Sequence, residues 1–286
     1  MRRALLFALL ASACLAGGRA AAKVERCWVE NGAIVVSAAF GSIAGDFILD
    51  ASEPASLLHA TAAEEAGFTG AEVARPLKFP GLRLPSAVMK IENLDARERG
   101  FPTNIAGVIG ADVLDRVEAT VRFRPCRISF SRAGGRRGPF AKALNVRWIA
   151  DAPAVPATIA DRSGRALEGW FWIDTASLGS RIADAGFSRP LPARADPDSR
   201  TEPPARLRAV AMAGELIEES PAGRLDGETP GLAGALGLSV WTRFSGIRLE
   251  LGRGRIELLR LPHAAAPGRI FKGDVASRSS LDEPAR

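Results

Sequence analysis

Gly45-Asp46-Phe47-Ile48-Leu49-Asp50 returns later in the chain as Gly169-Trp170-Phe171-Trp172-Ile173-Asp174. Each copy is an apolar, β-prone run that ends on an aspartate. The likeness continues downstream: Ser56 and Ser180 each lie six residues past their aspartate, and a Gly-Phe pair follows in both halves (Gly67-Phe68, Gly186-Phe187). Gly107-Val108-Ile109-Gly110-Ala111-Asp112-Val113-Leu114-Asp115-Arg116 then matches Gly234-Ala235-Leu236-Gly237-Leu238-Ser239-Val240-Trp241-Thr242-Arg243, and Arg127-Ile128-Ser129-Phe130 matches Arg255-Ile256-Glu257-Leu258. These anchors, in the same order and at nearly the same spacing, mark a duplicated unit. Two matching strand-end aspartates imply a site where two half-domains meet.

Around these anchors the chain reads as short strands with regular turn signals, the pattern of all-β lobes with few helices. Strands are expected at Ala33–Phe40 and 45–49 around a hairpin turn at 41–44, at 77–79, 82–84 and 87–91 around Pro80-Gly81, and at 119–123 and 127–130. Residues 57–66 have helical composition with a stop at Gly67, and 113–117 predict a short helix. The second half repeats the plan with strands at 155–159, 169–173, 207–212, 247–251 and Arg255–Leu259.

The 286 residues, 47% of them apolar, can bury two cores of ordinary size. Basic residues number 38 against 32 acidic, +6 in all, and are mostly dispersed single arginines. The densest run, Arg132-Ala133-Gly134-Gly135-Arg136-Arg137-Gly138, falls between the repeats and reads as a solvated linker. Without aromatic platforms or an extended basic face, nucleic acid is not an expected partner. Arg2 and Arg3, an apolar stretch over 4–15 and Ala20-Ala21-Ala22 form an export leader over 1–22, too short in its apolar part to span a bilayer. The mature protein is therefore expected in the periplasm or secreted. A competing reading makes Cys14 a lipid-modified first residue, against which Ala11 stands where a leucine is usual. The expected plan is a leader at 1–22, a first lobe at 24–131, a linker at 132–145, a second lobe at 146–262 and a disordered tail at 263–286, rich in Ala, Ser, Pro and charge. Cys27 and Cys126 lack metal-ligand spacing; they form one disulfide closing the first lobe or remain two buried thiols.

No Gly-x-Ser-x-Gly elbow, His-Glu-x-x-His helix or phosphate-cradling glycine loop is present. His59 and His263 are the only histidines; His59 falls in the helix expected after Asp50 and reads as a partly buried structural residue. Trp170 and Trp172 read as packing residues rather than stacking platforms.

An apolar strand, an Asp-Thr-Gly-like turn, a helix and then an apolar pair ending in glycine, all occurring twice, resemble the retropepsin-like and pepsin-like aspartic proteases over roughly 24–262. The resemblance implies a bilobal acid-protease barrel fold, a dyad of Asp50 and Asp174 that activates water on a peptide or protein substrate, and no metal, cofactor or covalent nucleophile. It assigns loop support to Ala51, Ser52, Thr175, Ala176, Gly110 and Gly237, and implies a monomer, since one chain carries both lobes. The family turn is Asp-Thr-Gly or Asp-Ser-Gly, whereas this chain has Asp50-Ala51-Ser52 and Asp174-Thr175-Ala176. Thr175 keeps the hydroxyl that crosses between lobes; Ala51 does not, and Ser52 and Ala176 add a Cβ where the family has none. The stretch before residue 77 is short for a covering flap and the chain has no tyrosine, while 193–205 is long enough but reads as a surface loop. A non-catalytic relative acting as a periplasmic binding or scaffolding protein is the alternative.

Overall fold

The computed structural model describes residues 23–132, 142–183, 206–225 and 227–259. The leader with Cys14, most of the linker, Gly186-Phe187, the 193–205 loop and the tail from His263 lie outside them.

The first lobe begins with β1 (Val24–Glu30) and then builds a closed six-stranded barrel. Its strands are β2 (Ala33–Phe40), β3 (Ile43–Leu49), β4 (Leu57–His59), β5 (Glu72–Phe79), β6 (Leu82–Glu92) and β7 (Ile105–Ile109). Their spatial order is β2-β3-β7-β4-β6-β5, closed by Ala39↔Lys78 and Phe40↔Leu77. Short helices α1 (Ala60–Glu65), α2 (Asp95–Glu98) and α3 (Ala111–Leu114) fill the connections, and the hairpin β8 (Glu118–Phe123) and β9 (Cys126–Ser131) ends the lobe. After β10 (Lys142–Asn145) and β11 (Arg147–Ile149) the plan repeats. The strands β12 (Ala152–Ala160), β13 (Ala166–Ile173), β14 (Ser180–Ile182), β15 (Arg206–Met212), β16 (Glu215–Arg224) and β17 (Gly234–Leu236) are ordered β12-β13-β17-β14-β16-β15 and closed by Thr158↔Ala211 to Ala160↔Ala209. Helix α4 (Leu238–Trp241), β18 (Gly246–Glu250) and β19 (Arg255–Leu259) follow.

In each barrel the strand that delivers the aspartate lies parallel to a late strand. β3 pairs with β7 through Leu49↔Ile109, and β13 with β17 through Ile173↔Leu236. That late strand is antiparallel to the short strand beyond the aspartate loop, which runs parallel to the next (β4 with β6, β14 with β16). The crossed arrangement brings each aspartate loop against the loop that follows its late strand. β2 is buried along most of its length because both faces are covered: Ile34, Val36 and Phe40 join the main core, while Ala33 and Val35 pack with Ile48, Leu57, Ile105 and Val108.

A six-stranded sheet, β1-β9-β8-β18-β19-β10, joins the lobes, and β8 pairs with β18 from Ala119↔Leu249 to Arg122↔Gly246. Cys27 on β1 and Cys126 on β9 are disulfide-bonded, with Cα atoms 5.0 Å apart. One hydrophobic core runs through both repeats and includes Phe47, Phe130, Phe171 and the fully buried Trp241.

Two local expectations change. Residues 57–59 are strand, not helix, because they fill the rung between β7 and β6, and this pairing overrides their helical propensity. Helix α3 starts at Ala111, two residues before the expected start. The β5–β6 hairpin turns at Pro80-Gly81, where a Cβ on Gly81 would lie 2.7 Å from that of Lys23. Since Cys27 is paired with Val36, Lys23 lies toward the Phe40 end of β2, away from Leu49 and Asp50. The segment that reaches Asp50 is instead α2, which the sequence pattern did not suggest.

Candidate active site

Asp50 leaves β3 and Asp174 leaves β13 in the same way: their amides donate to Ile109 O and Leu236 O, each at 3.0 Å. Behind each aspartate lies the serine six residues on. Ser56 Oγ accepts from Gly110 N (2.9 Å) and donates to Asp112 Oδ1 (2.7 Å), and Ser180 Oγ accepts from Gly237 N (3.2 Å). The two glycines are a matter of space rather than of φ, which is −91° and −84°. A Cβ on Gly110 would lie 2.7 Å from Ala55 C, and one on Gly237 2.3 Å from Gly179 O.

The loops meet through Thr175, which is fully buried. Its Oγ1 donates to Leu49 O (2.6 Å) and accepts from Ala51 N (3.0 Å), and its carbonyl accepts from Ile34 N (3.0 Å). Ala51 contributes only its amide. Ser52 N and Ala176 N donate to the Oδ1 of their own aspartates at 2.9 and 3.0 Å, and Ser52 Oγ adds a bond to Asp50 Oδ1 at 2.7 Å. Neither Ser52 nor Ala176 has a positive φ, so the residues standing where the resemblance expects glycine carry no left-handed strain.

Both carboxylates are nearly out of solvent, Asp50 6% and Asp174 1% exposed. The second oxygen of each meets an arginine from its own lobe. Arg97 Nη1 lies 3.4 Å from Asp50 Oδ2 while its Nη2 pairs with Glu53, and Arg181 Nη2 lies 2.8 Å from Asp174 Oδ2. Burial, and next the charge of Asp174, push the Asp50 carboxyl up to about 6; the Ser52 hydrogen bond and Arg97 oppose this without prevailing. The site thus combines two buried acids on loops joined through Thr175, one of them pushed up to about 6, with two guanidinium groups.

Those arginines are what sequence reasoning missed. A signal existed for Arg181: it stands between buried Ser180 and Ile182 on a strand, so alternation turns it to the opposite face. Arg97 lies in a polar stretch with no period. Away from the dyad, Trp172 Nε1 donates to Ile149 O (2.9 Å) and both Trp170 and Trp172 pack on the cluster of Ile149, Ala154, Leu225 and Leu232. His59 is buried at the end of β4, and with Asp95 and Glu98 it forms a group of metal-ligating residue types among the described residues.

Two barrels joined by a shared sheet, each offering an aspartate from an inner strand, constitute the pepsin-like two-lobe fold. An aspartic proteinase from Irpex lacteus of known structure matches with a TM-score of 0.53 and 12% identity, covering 86% of this chain and 99% of that one, a likeness of fold. No family model and no curated protein matches the sequence.

Proposed function

We propose that the chain is an exported aspartic-type peptidase in which Asp50 and Asp174 act as one dyad. The observation that carries this reading is the bonding of Thr175 to both Leu49 and Ala51, which draws the two aspartate loops into a single buried site. The raised value of Asp50 supports a division of roles. Asp50 holds the proton and hydrogen-bonds the carbonyl oxygen of the scissile peptide, while Asp174 takes a proton from the attacking water. Since Asp50 must be protonated, cleavage is expected to rise as pH falls through about 6.

A second reading has its own observation. Each carboxylate is already engaged at Oδ1 by its own turn and at Oδ2 by an arginine, which favours a cleft that binds peptide without cutting it. Incubating the mature protein with an unfolded protein and a peptide library from acidic to neutral pH separates the two. The peptidase reading expects cleavage that pepstatin blocks and that Asp50→Asn and Asp174→Asn each abolish. Absence of cleavage by the wild type and by the Arg97→Met and Arg181→Met variants, with retained peptide binding, supports the second reading.

A further inference from the structure

A one-turn helix such as α2 has too few internal hydrogen bonds to hold itself in place, so its position must come from what it touches. Leu94, just before it, is buried against Ala33, Val35 and Ile105. On α2 itself, Asp95 Oδ1 and Glu98 Oε2 each lie 3.3 Å from Nε2 of His59. Arg97, between them in sequence, reaches the other way to Asp50 and Glu53.

The ring of His59 is itself fixed. Its Nδ1 accepts the Thr61 amide at 3.2 Å as the N-cap of α1, so the ring proton sits on Nε2 and points at α2. That assignment decides against a metal ion in the His59–Asp95–Glu98 group. Ligation through Nε2 would move the proton to Nδ1, where it would meet the N–H of Thr61. Nε2 lies close to both carboxylates but makes no hydrogen bond to them or to any other described residue. Its hold on α2 is therefore an attraction to two acids at once. Glu92 of β6, its cross-strand neighbour, has an exposed side chain.

We propose that His59 is a positioning residue for the dyad: by holding α2 through Asp95 and Glu98, it seats Arg97 on Asp50 and Glu53. The inference rests on the peptidase reading only for its catalytic consequence, a shifted pH profile. The groups that set the charge at Asp50 are Glu53 from its own loop, Arg97 from α2 and Asp174 from the second lobe, itself paired with Arg181. Of these, only Arg97 depends on His59. Releasing α2 removes an influence that lowers the Asp50 value and leaves burial and Asp174, which raise it.

The test follows the Asp50 carboxyl by NMR titration, which requires no turnover and so stands apart from any failure to cleave peptides. His59→Asn is the informative change, because an asparagine oxygen still caps α1 but the side chain is too short to reach α2. It should raise the Asp50 midpoint by roughly half a unit or more, as Arg97→Met does, and the double variant should add nothing beyond Arg97→Met alone. If His59→Asn folds poorly, the pair Asp95→Ala and Glu98→Ala removes the same contact from the other side and should give the same shift. The proposal is overturned if Arg97→Met moves the midpoint while His59→Asn and the alanine pair do not. It is equally overturned if zinc stabilises the wild type but not His59→Asn, which would make the group a metal site.

Discussion

Around Asp174 the next residue, Thr175, makes two side-chain hydrogen bonds into the opposite lobe; around Asp50 the next residue, Ala51, supplies an amide and nothing more. A single hydroxyl joins the two loops. The reason lies in what a hydroxyl can do: the same oxygen donates to Leu49 O and accepts from Ala51 N, so a single threonine satisfies one buried acceptor and one buried donor. The loops also differ in their acids. Asp50 has an extra hydroxyl on it from Ser52, whereas Asp174 has only the Ala176 amide at the same place and an arginine at shorter range.

The difference can be broken most forcefully at Thr175. Thr175→Val leaves Leu49 O and Ala51 N buried without partners and should cost about 2–4 kcal/mol in denaturant unfolding, while Ala51→Gly leaves every one of these bonds in place and should cost about 1 kcal/mol. Next comes the unequal burden of the acids. Because the folded value of Asp50 lies above the ordinary 3.8, the protein gains stability from a protonated Asp50 at low pH and loses that gain as pH rises through about 6. Asp50→Asn should therefore match the wild type near pH 4 and become more stable than it, on the order of 2 kcal/mol, by pH 7. Asp174→Asn should lower the Asp50 midpoint, since it removes the second-largest cause of the upward shift; an unchanged midpoint would mean that the two acids do not share a site.

A smaller contrast lies behind the loops. Ser56 both donates and accepts, while Ser180 accepts a single longer bond from Gly237, so Ser56→Ala should cost about 2 kcal/mol and Ser180→Ala about 1 kcal/mol by the same unfolding measurement. Smallest of all, Ser52→Gly should raise the Asp50 midpoint by a fraction of a unit, whereas Ala176→Gly should leave it unmoved.

The parts of this site legible in the sequence are those that duplication repeats. Asp50 and Asp174, Ser56 and Ser180, and Gly110 and Gly237 hold the same places in each lobe because the same crossed-strand geometry needs them. What the repeat could not announce is whatever belongs to one lobe alone. Arg97 sits on a turn of helix in the first lobe, and Arg181 occupies the position of the buried Leu57 in the other copy. The short inner strands were also obscure. Leu57–His59 and Gly234–Leu236 are three residues each and buried throughout, so they show neither alternation nor length, and Ser180–Ile182 is as short. Their strand character comes from partners far away in sequence, as does the union of β8 with β18.

That union carries a consequence for the halves as separate objects. Within the shared sheet, each repeat covers an edge that the other would otherwise present to solvent: β8 has β9 on one side and only β18 on the other. An isolated first repeat would expose a row of free backbone donors and acceptors along 119–122, a template for pairing with any extended chain, including another copy of itself. The second repeat is therefore also the first one's protection against self-association, a role independent of whether the cleft between them ever turns over a substrate.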